Sequence, residues 1–558
     1  MNQLNIVKTK VAAVSTVAVL LFSLAGVGNA LASFSAVNLS TGFSSINDVD
    51  ATGVDVFTLV DDNFGEVDNI QGVDTETGAN SSDSNTGEGE NNSGGITVVG
   101  GFGNDFNINS ASHTNSWWNQ AVGSKNDTTG ASSTNTADAS YDNTVTAIQD
   151  NEADLDNTIT VDANTGENSA DTNTGDGTNK TGGATSNTTE SNKANGNKFT
   201  SWGSMPSSLF ANMAENLITG FSSTNTATSD VDNTLTSVST NSALFGNLST
   251  TLLNSGINTA DSNTGKGKND TGDAKGSTSI INDANSNTVD VKILGSSDNS
   301  LMSGNNTTGA LSDNDSTTMV ASTIDVVNDN DAEFGNTASV DVNTGENSSS
   351  TNTGSGTNET GKGEGNILID NGSFFNKNDT KLTFESSMFG LMANNKNTGF
   401  TSDNDATSTL TTDVVVVNDN DATVTNEATV DIETGANVAD SNTGDGKNNT
   451  GNAKASSTIT NDLNINTNTI KWMAMGALSA DNNTTGASST NDADATVTND
   501  LTLVNVNSGT VTNTSTTTSS TGGNTSSFNT GSGTSTTGDS SVLFGIVNQG
   551  NGNFNIVN

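Results

Sequence analysis

Thiol, imidazole and guanidinium side chains are absent or nearly so, and their scarcity is informative. The chain has one histidine, His113, no cysteine, and 17 basic residues that are all lysine. Without thiols there is no disulfide, thiolate nucleophile, zinc knuckle or iron–sulfur cluster. A single imidazole rules out a multi-histidine metal site or a histidine relay. The absence of arginine removes the planar fork that grips phosphate and carboxylate. Acids are plentiful, 63 Asp and Glu in 558 residues, for a formal net charge of −46. Such a chain repels nucleic acid and anionic lipid, so neither is expected as a partner. No catalytic residue is expected, and the protein reads as a non-enzyme.

One stretch, Gly356-Thr357-Asn358-Glu359-Thr360-Gly361-Lys362, imitates a phosphate-binding loop. Gly363 stands where a Ser or Thr must hold magnesium, so the loop is rejected. A hard cation such as calcium would take oxygen ligands from closely spaced aspartates: Asp329 and Asp331, Asp403 and Asp405, Asp419 and Asp421. These are expected in turns; a solvated acidic face is the plainer reading, and no other cofactor is expected.

Contact chemistry is the remaining option. Trp117, Trp118, Trp202, Met388, Phe389, Trp472 and Met473 stand out in a chain with only 4 % aromatics. Large aromatics and adaptable Met suit either an apolar edge that the fold covers itself or a sticky face for a partner. After Pro206, Leu209, Met213 and Leu217 recur every fourth residue, the spacing of a short amphipathic helix.

The elements that must position these residues come as an internal repeat. A Thr-Gly step places Gly42, Gly130, Gly220, Gly309, Gly399 and Gly486 at spacings of 88, 90, 89, 90 and 87 residues. Forty-five residues after each, Asn-Thr-Gly-x-Gly places Gly87, Gly175, Gly265, Gly354, Gly444 and Gly531. Asn recurs at offsets of 5, 21, 27 and 62, as at Asn135, Asn151, Asn157 and Asn192. Gly and Asn tolerate positive φ, so these positions are read as tight turns, with Asn side chains stacking into amide ladders. Between them Ile159, Val161 and Ala163 alternate with Thr160 and Asp162, as a half-buried strand does. Fixed positions 16 residues apart suggest several coils of about 16 residues in each repeat.

The expected fold is all-β: an elongated parallel β-solenoid of six repeats of about 88 residues. A string of six β-sandwich domains, or a largely disordered chain, are the alternatives. Residues 1–32 read as a signal peptide, with Lys8 and Lys10 before an apolar run and Ala30-Leu31-Ala32 as the cleavage site. The repeats are placed at 33–126, 127–217, 218–305, 306–396, 397–482 and 483–558. No later apolar run is long enough for a membrane-spanning helix.

The repeat and its Asn/Thr/Gly-rich composition resemble the exported surface proteins that form adhesin stalks, surface layers and extracellular filaments. Gly166-Glu167-Asn168-Ser169-Ala170 and its equivalents are similar to part of the curlin repeat, without its flanking glutamines. The resemblance implies stacked turns and an extracellular or cell-surface structural role, by self-association or with cell-surface components. An adhesin using the Trp- and Met-bearing segments is the second reading. An ice-binding surface of Thr ranks is the third.

Overall fold

The computed structural model describes residues 34–39, 41–115, 122–204, 212–294, 300–384, 390–472 and 478–558. The signal peptide expected at residues 1–32 lies outside them. Alternation of inward and outward side chains runs unbroken from Asn135 to Ala163, with no proline or glycine to interrupt it. The result is a single strand, Thr134–Asn164. It is preceded by Val122–Asp127, then followed by the short strands Glu167–Ser169 and Gly177–Lys180 at a tip, and by a return strand, Ala184–Ser204. These five strands make one flat layer.

Each repeat supplies one such layer, and backbone hydrogen bonds run from layer to layer. Thr134–Asn164 pairs in parallel with Ile46–Glu76 on one side and Thr224–Asn254 on the other, residue for residue. Equivalent strands so form five parallel sheets through the stack, four of six strands and one of five. The fold is therefore a parallel β-solenoid, and its coil is the complete repeat. This corrects the 16-residue coil: Asn135 and Asn151 are 16 apart because both lie on one uninterrupted strand.

Three further expectations change with it. Layers about 4.8 Å apart give a stack roughly 29 Å high, whereas a 31-residue strand at about 3.3 Å per residue extends to about 100 Å. The long dimension thus lies across the layers, and the solenoid is not elongated along its axis. Val122–Asp127 pairs with Phe34–Leu39 and opens the second layer, so the repeat limits fall a few residues earlier than the sequence placed them. Met213 and Leu217 belong to the extended strand Asn212–Leu217, not to a helix, because two parallel neighbours pair with that segment. Leu209 lies outside the described residues.

Length differences are absorbed between layers. The register between the first two return strands is 88 up to Gly203, and becomes 90 at Asn212. A bulge between Asn371 and Phe375 in the fourth layer is the exception.

One face of the long strand is buried from end to end, against the return strands and the short first strands. Three apolar clusters fill the gap. One gathers Tyr141, Val145, Phe199 and Leu235, another Ile159, Val161, Val340 and Ile459 near the tip. Between them Leu155, Phe245, Phe334 and Phe375 form the third, with the Phe245 and Phe334 rings stacked at 4.6 Å. Small residues such as Ala137 and Ala153 let the sheets approach, so a thin core needs few large side chains.

Candidate assembly interface

Asparagine separates the three clusters. Asn330, at offset 21, donates to Asn420 in the next layer and to Asn378 across the gap, both at 2.9 Å. Its own oxygen accepts from Asn241 and Asn287, again at 2.9 Å. Asn336, at offset 27, makes the same pattern with Asn426 and Asn371. These asparagines are fully buried and sit inside strands, so the turn reading of offsets 5, 21, 27 and 62 is corrected and the ladder reading stands. Every buried amide hydrogen used within a ladder points toward the next layer. The ladders have a direction.

A further asparagine does hold a backbone turn. Asn107, Asn195, Asn285, Asn376, Asn464 and Asn551 all have positive φ and lie in the return strand. The first five donate to the long strand of the following layer, as Asn195 does to the Ser242 carbonyl at 2.6 Å. Asn is the side chain that tolerates this conformation best after glycine. The signal was present in the sequence, since Asn recurs there in all six copies.

The repeat glycines have a different reason from the one expected. Gly130, Gly220, Gly309, Gly399 and Gly486 do not have positive φ. A Cβ on Gly130 would run into the Gly42 carbonyl, and one on Gly309 into that of Gly220. At Gly175 the nearest atom would be the Gly87 carbonyl carbon, 2.8 Å away. Gly265, Gly354, Gly444 and Gly531 are crowded by the preceding layer in the same way. For these two series the constraint is layer spacing, not dihedral freedom, whereas Gly166, Gly256 and Gly345, at another repeat position, do have the positive φ expected. Gly42 and Gly87 lie in the first layer, where a Cβ would meet nothing within 4 Å.

The two outer layers complete the surface. Ile46–Glu76 and Thr490–Thr521 each have a partner strand on one side only. Inward residues that are fully buried in the middle of the stack, such as Val145 and Leu155, have half-buried counterparts there: Phe57 and Val67 below, Leu501 and Val511 above. Asn507 and Asn513 accept from the fifth layer at 2.9 and 2.8 Å and donate across to Asn553 and Asn548.

The six aspartates considered for calcium lie within strands, not turns, because each continues the alternating pattern of Asp313–Asn343 or Asp403–Thr434. Asp329 stacks beside Asp419, Asp331 beside Asp421, and Asp405 beside Asp315. Burial, then the neighbouring Asp419, Asp331 and Asp150 charges, push the Asp329 carboxyl up to about 6. Burial and neighbouring acids likewise raise Asp331, Asp405 and Asp419. Among the described residues no three acidic or histidine side chains converge as a metal site would require. His113 is buried against the Phe57 ring, centroids 4.3 Å apart, and burial lowers its imidazole below the usual range.

Trp117, Trp118, Met388, Phe389 and Met473 lie outside the described residues. Trp202 and Trp472 fall near the end of return strands. The columns through Thr423 and Thr425 are mixed, with Glu333 and Gly335 in the layer beside them, so they form no continuous Thr rank. Sequence reasoning missed Glu190. Its carboxylate is buried without a hydrogen-bond partner, in a column otherwise made of Phe102, Ile280, Ile369, Ile459 and Ile546. Burial pushes its carboxyl up to about 8. Compared with known protein families, curated proteins and solved structures, the chain matches none.

Proposed function

We propose that this is an exported, non-enzymatic structural protein of the cell surface, a building block of a filament, layer or stalk. One observation carries the reading. Both outer layers of the stack end in long unpaired strand edges, and such edges recruit further strands. A protein that served as an isolated domain would blunt both with proline, bulges, charge or a covering segment. Among the described residues no proline, bulge or covering segment interrupts either strand, and while Ile46–Glu76 carries nine acids, Thr490–Thr521 carries only three. The leader-like sequence of residues 1–32 supports export. The absence of cysteine and the single imidazole support a role without catalysis.

Electron microscopy of the purified chain lacking residues 1–32, with and without calcium, tests the reading. Ordered polymers or sheets are expected; a chain that stays single at high concentration in both conditions would contradict it.

A further inference from the structure

We infer that the partner of each outer layer is a second copy of this chain, stacked head to tail. The sixth layer of one copy then lies in register against the first layer of the next. This rests on the structural, self-associating reading above and specifies its contact.

Three independent features of the two edges agree. The first is hydrogen-bond polarity. From Asn47 to Asn135 and onward to Asn404 and Asn491, each amide donates to the oxygen of the following layer. The sixth layer so ends in amide N–H groups and the first begins with amide oxygens. Continuing the observed register sets Asn491 against Asn47, Asn507 against Asn63 and Asn513 against Asn69 of the next copy. A two-fold contact between identical layers would set donors against donors or oxygens against oxygens.

The second feature is charge. The first layer, residues 34–115, carries 13 Asp and Glu and no lysine; the sixth, residues 478–558, carries five acids. In the continued register 11 of those 13 acids land on neutral residues. Glu66 meets Thr510 and Asp68 meets Thr512. The chain already uses such a contact internally, where the Thr518 hydroxyl donates to the Asp431 carboxylate of the layer beside it. Two first layers face to face would instead bring two acid-rich edges together.

The third is steric. Gly42, Gly78 and Gly87 would tolerate a Cβ in the isolated chain, since nothing lies within 4 Å. In the continued register each faces Gly486, Gly522 or Gly531, the same close glycine-on-glycine approach made inside the stack. Such contacts are heterologous and do not close, so they generate an open polar filament.

The test uses the chain from residue 33 onward. Wild-type protein should form unbranched filaments with one subunit per about 29 Å, six layers of about 4.8 Å. Gly42→Val with Gly87→Val should cut polymer at least tenfold in sedimentation while the monomer melts as wild type. Thr510→Glu should do the same by opposing Glu66, and adding Glu66→Lys in the same chain should restore filaments. Filaments unaffected by these changes, or assembly that stops at a dimer, would overturn the head-to-tail register and leave the structural role standing. A chain that never assembles would overturn both.

Discussion

Asn330 shows how a polar residue stabilises this core. Its amide makes four hydrogen bonds to four other asparagines and has no contact with solvent. Replacing it with Leu leaves one amide hydrogen of Asn241 and one of Asn287 without a partner in a dry gap, each costing about 1–3 kcal/mol, while the Asn378 and Asn420 oxygens each keep one donor. Asn330→Leu should therefore lower thermal stability severely, by more than most single changes to an exposed Thr, in a melting experiment. Glu190 is the opposite case. Glu190→Ile completes an apolar column and should stabilise the chain by about 1–3 kcal/mol at neutral pH and above. The gain should grow as pH rises from about 4.5 to 8, where the unfolded carboxyl ionises while the native one keeps its proton, and be smallest in acid, where both are neutral. Denaturant unfolding at pH 5 and pH 9 measures the difference.

Layer spacing is set at the scale of the strand and its turns. Gly309 sits between Gly220 and Gly399, and a side chain there meets the backbone of the preceding layer. Gly309→Val should fail to fold or melt far below wild type, whereas Gly42→Val should be neutral in the monomer. Circular dichroism of the two variants separates them. Much of this element was legible beforehand. The alternation of Ile159, Val161 and Ala163 marked the strand and its buried face, and the recurrence at 88 residues marked the repeat. What the sequence concealed was which residues touch. A beat of 16 along one strand and a beat of 16 between stacked coils look alike, because both obey the same period of two. The Asn and Gly positions were visible for the same reason, but their role depends on neighbours 87 to 90 residues away. A turn and a buried ladder both favour Asn, by different physics. Glu190 gave no signal at all, since one acid among many is conspicuous only when its column is known to be isoleucine.

The whole molecule is a stack in which like residues lie above one another, so its many acids form columns rather than scattered charges. Raised carboxyls bind protons more tightly in the folded chain than in the unfolded one. Their contribution to stability is full below the unfolded value near 4 and is lost as pH rises through the folded value. For Asp329, raised to about 6, the loss falls between about pH 4 and 6, and Asp331, Asp405 and Asp419 act in the same direction. Melting temperature should therefore be higher at pH 5 than at pH 8, and salt should narrow the gap by screening the columns. The central claim is that one repeat makes one layer, and the absence of native cysteine makes it directly measurable. Thr52 and Thr496 occupy equivalent outward positions in the first and sixth layers, joined by the column Ser140, Asp230, Met319 and Thr409. Spin labels on Thr52→Cys and Thr496→Cys, diluted in unlabelled chain, report their separation by pulsed electron paramagnetic resonance. Five layer steps predict about 24 Å between the two backbones. Coils of 16 residues would put the two sites well over 100 Å apart, and a distance beyond the range of the method would contradict the account.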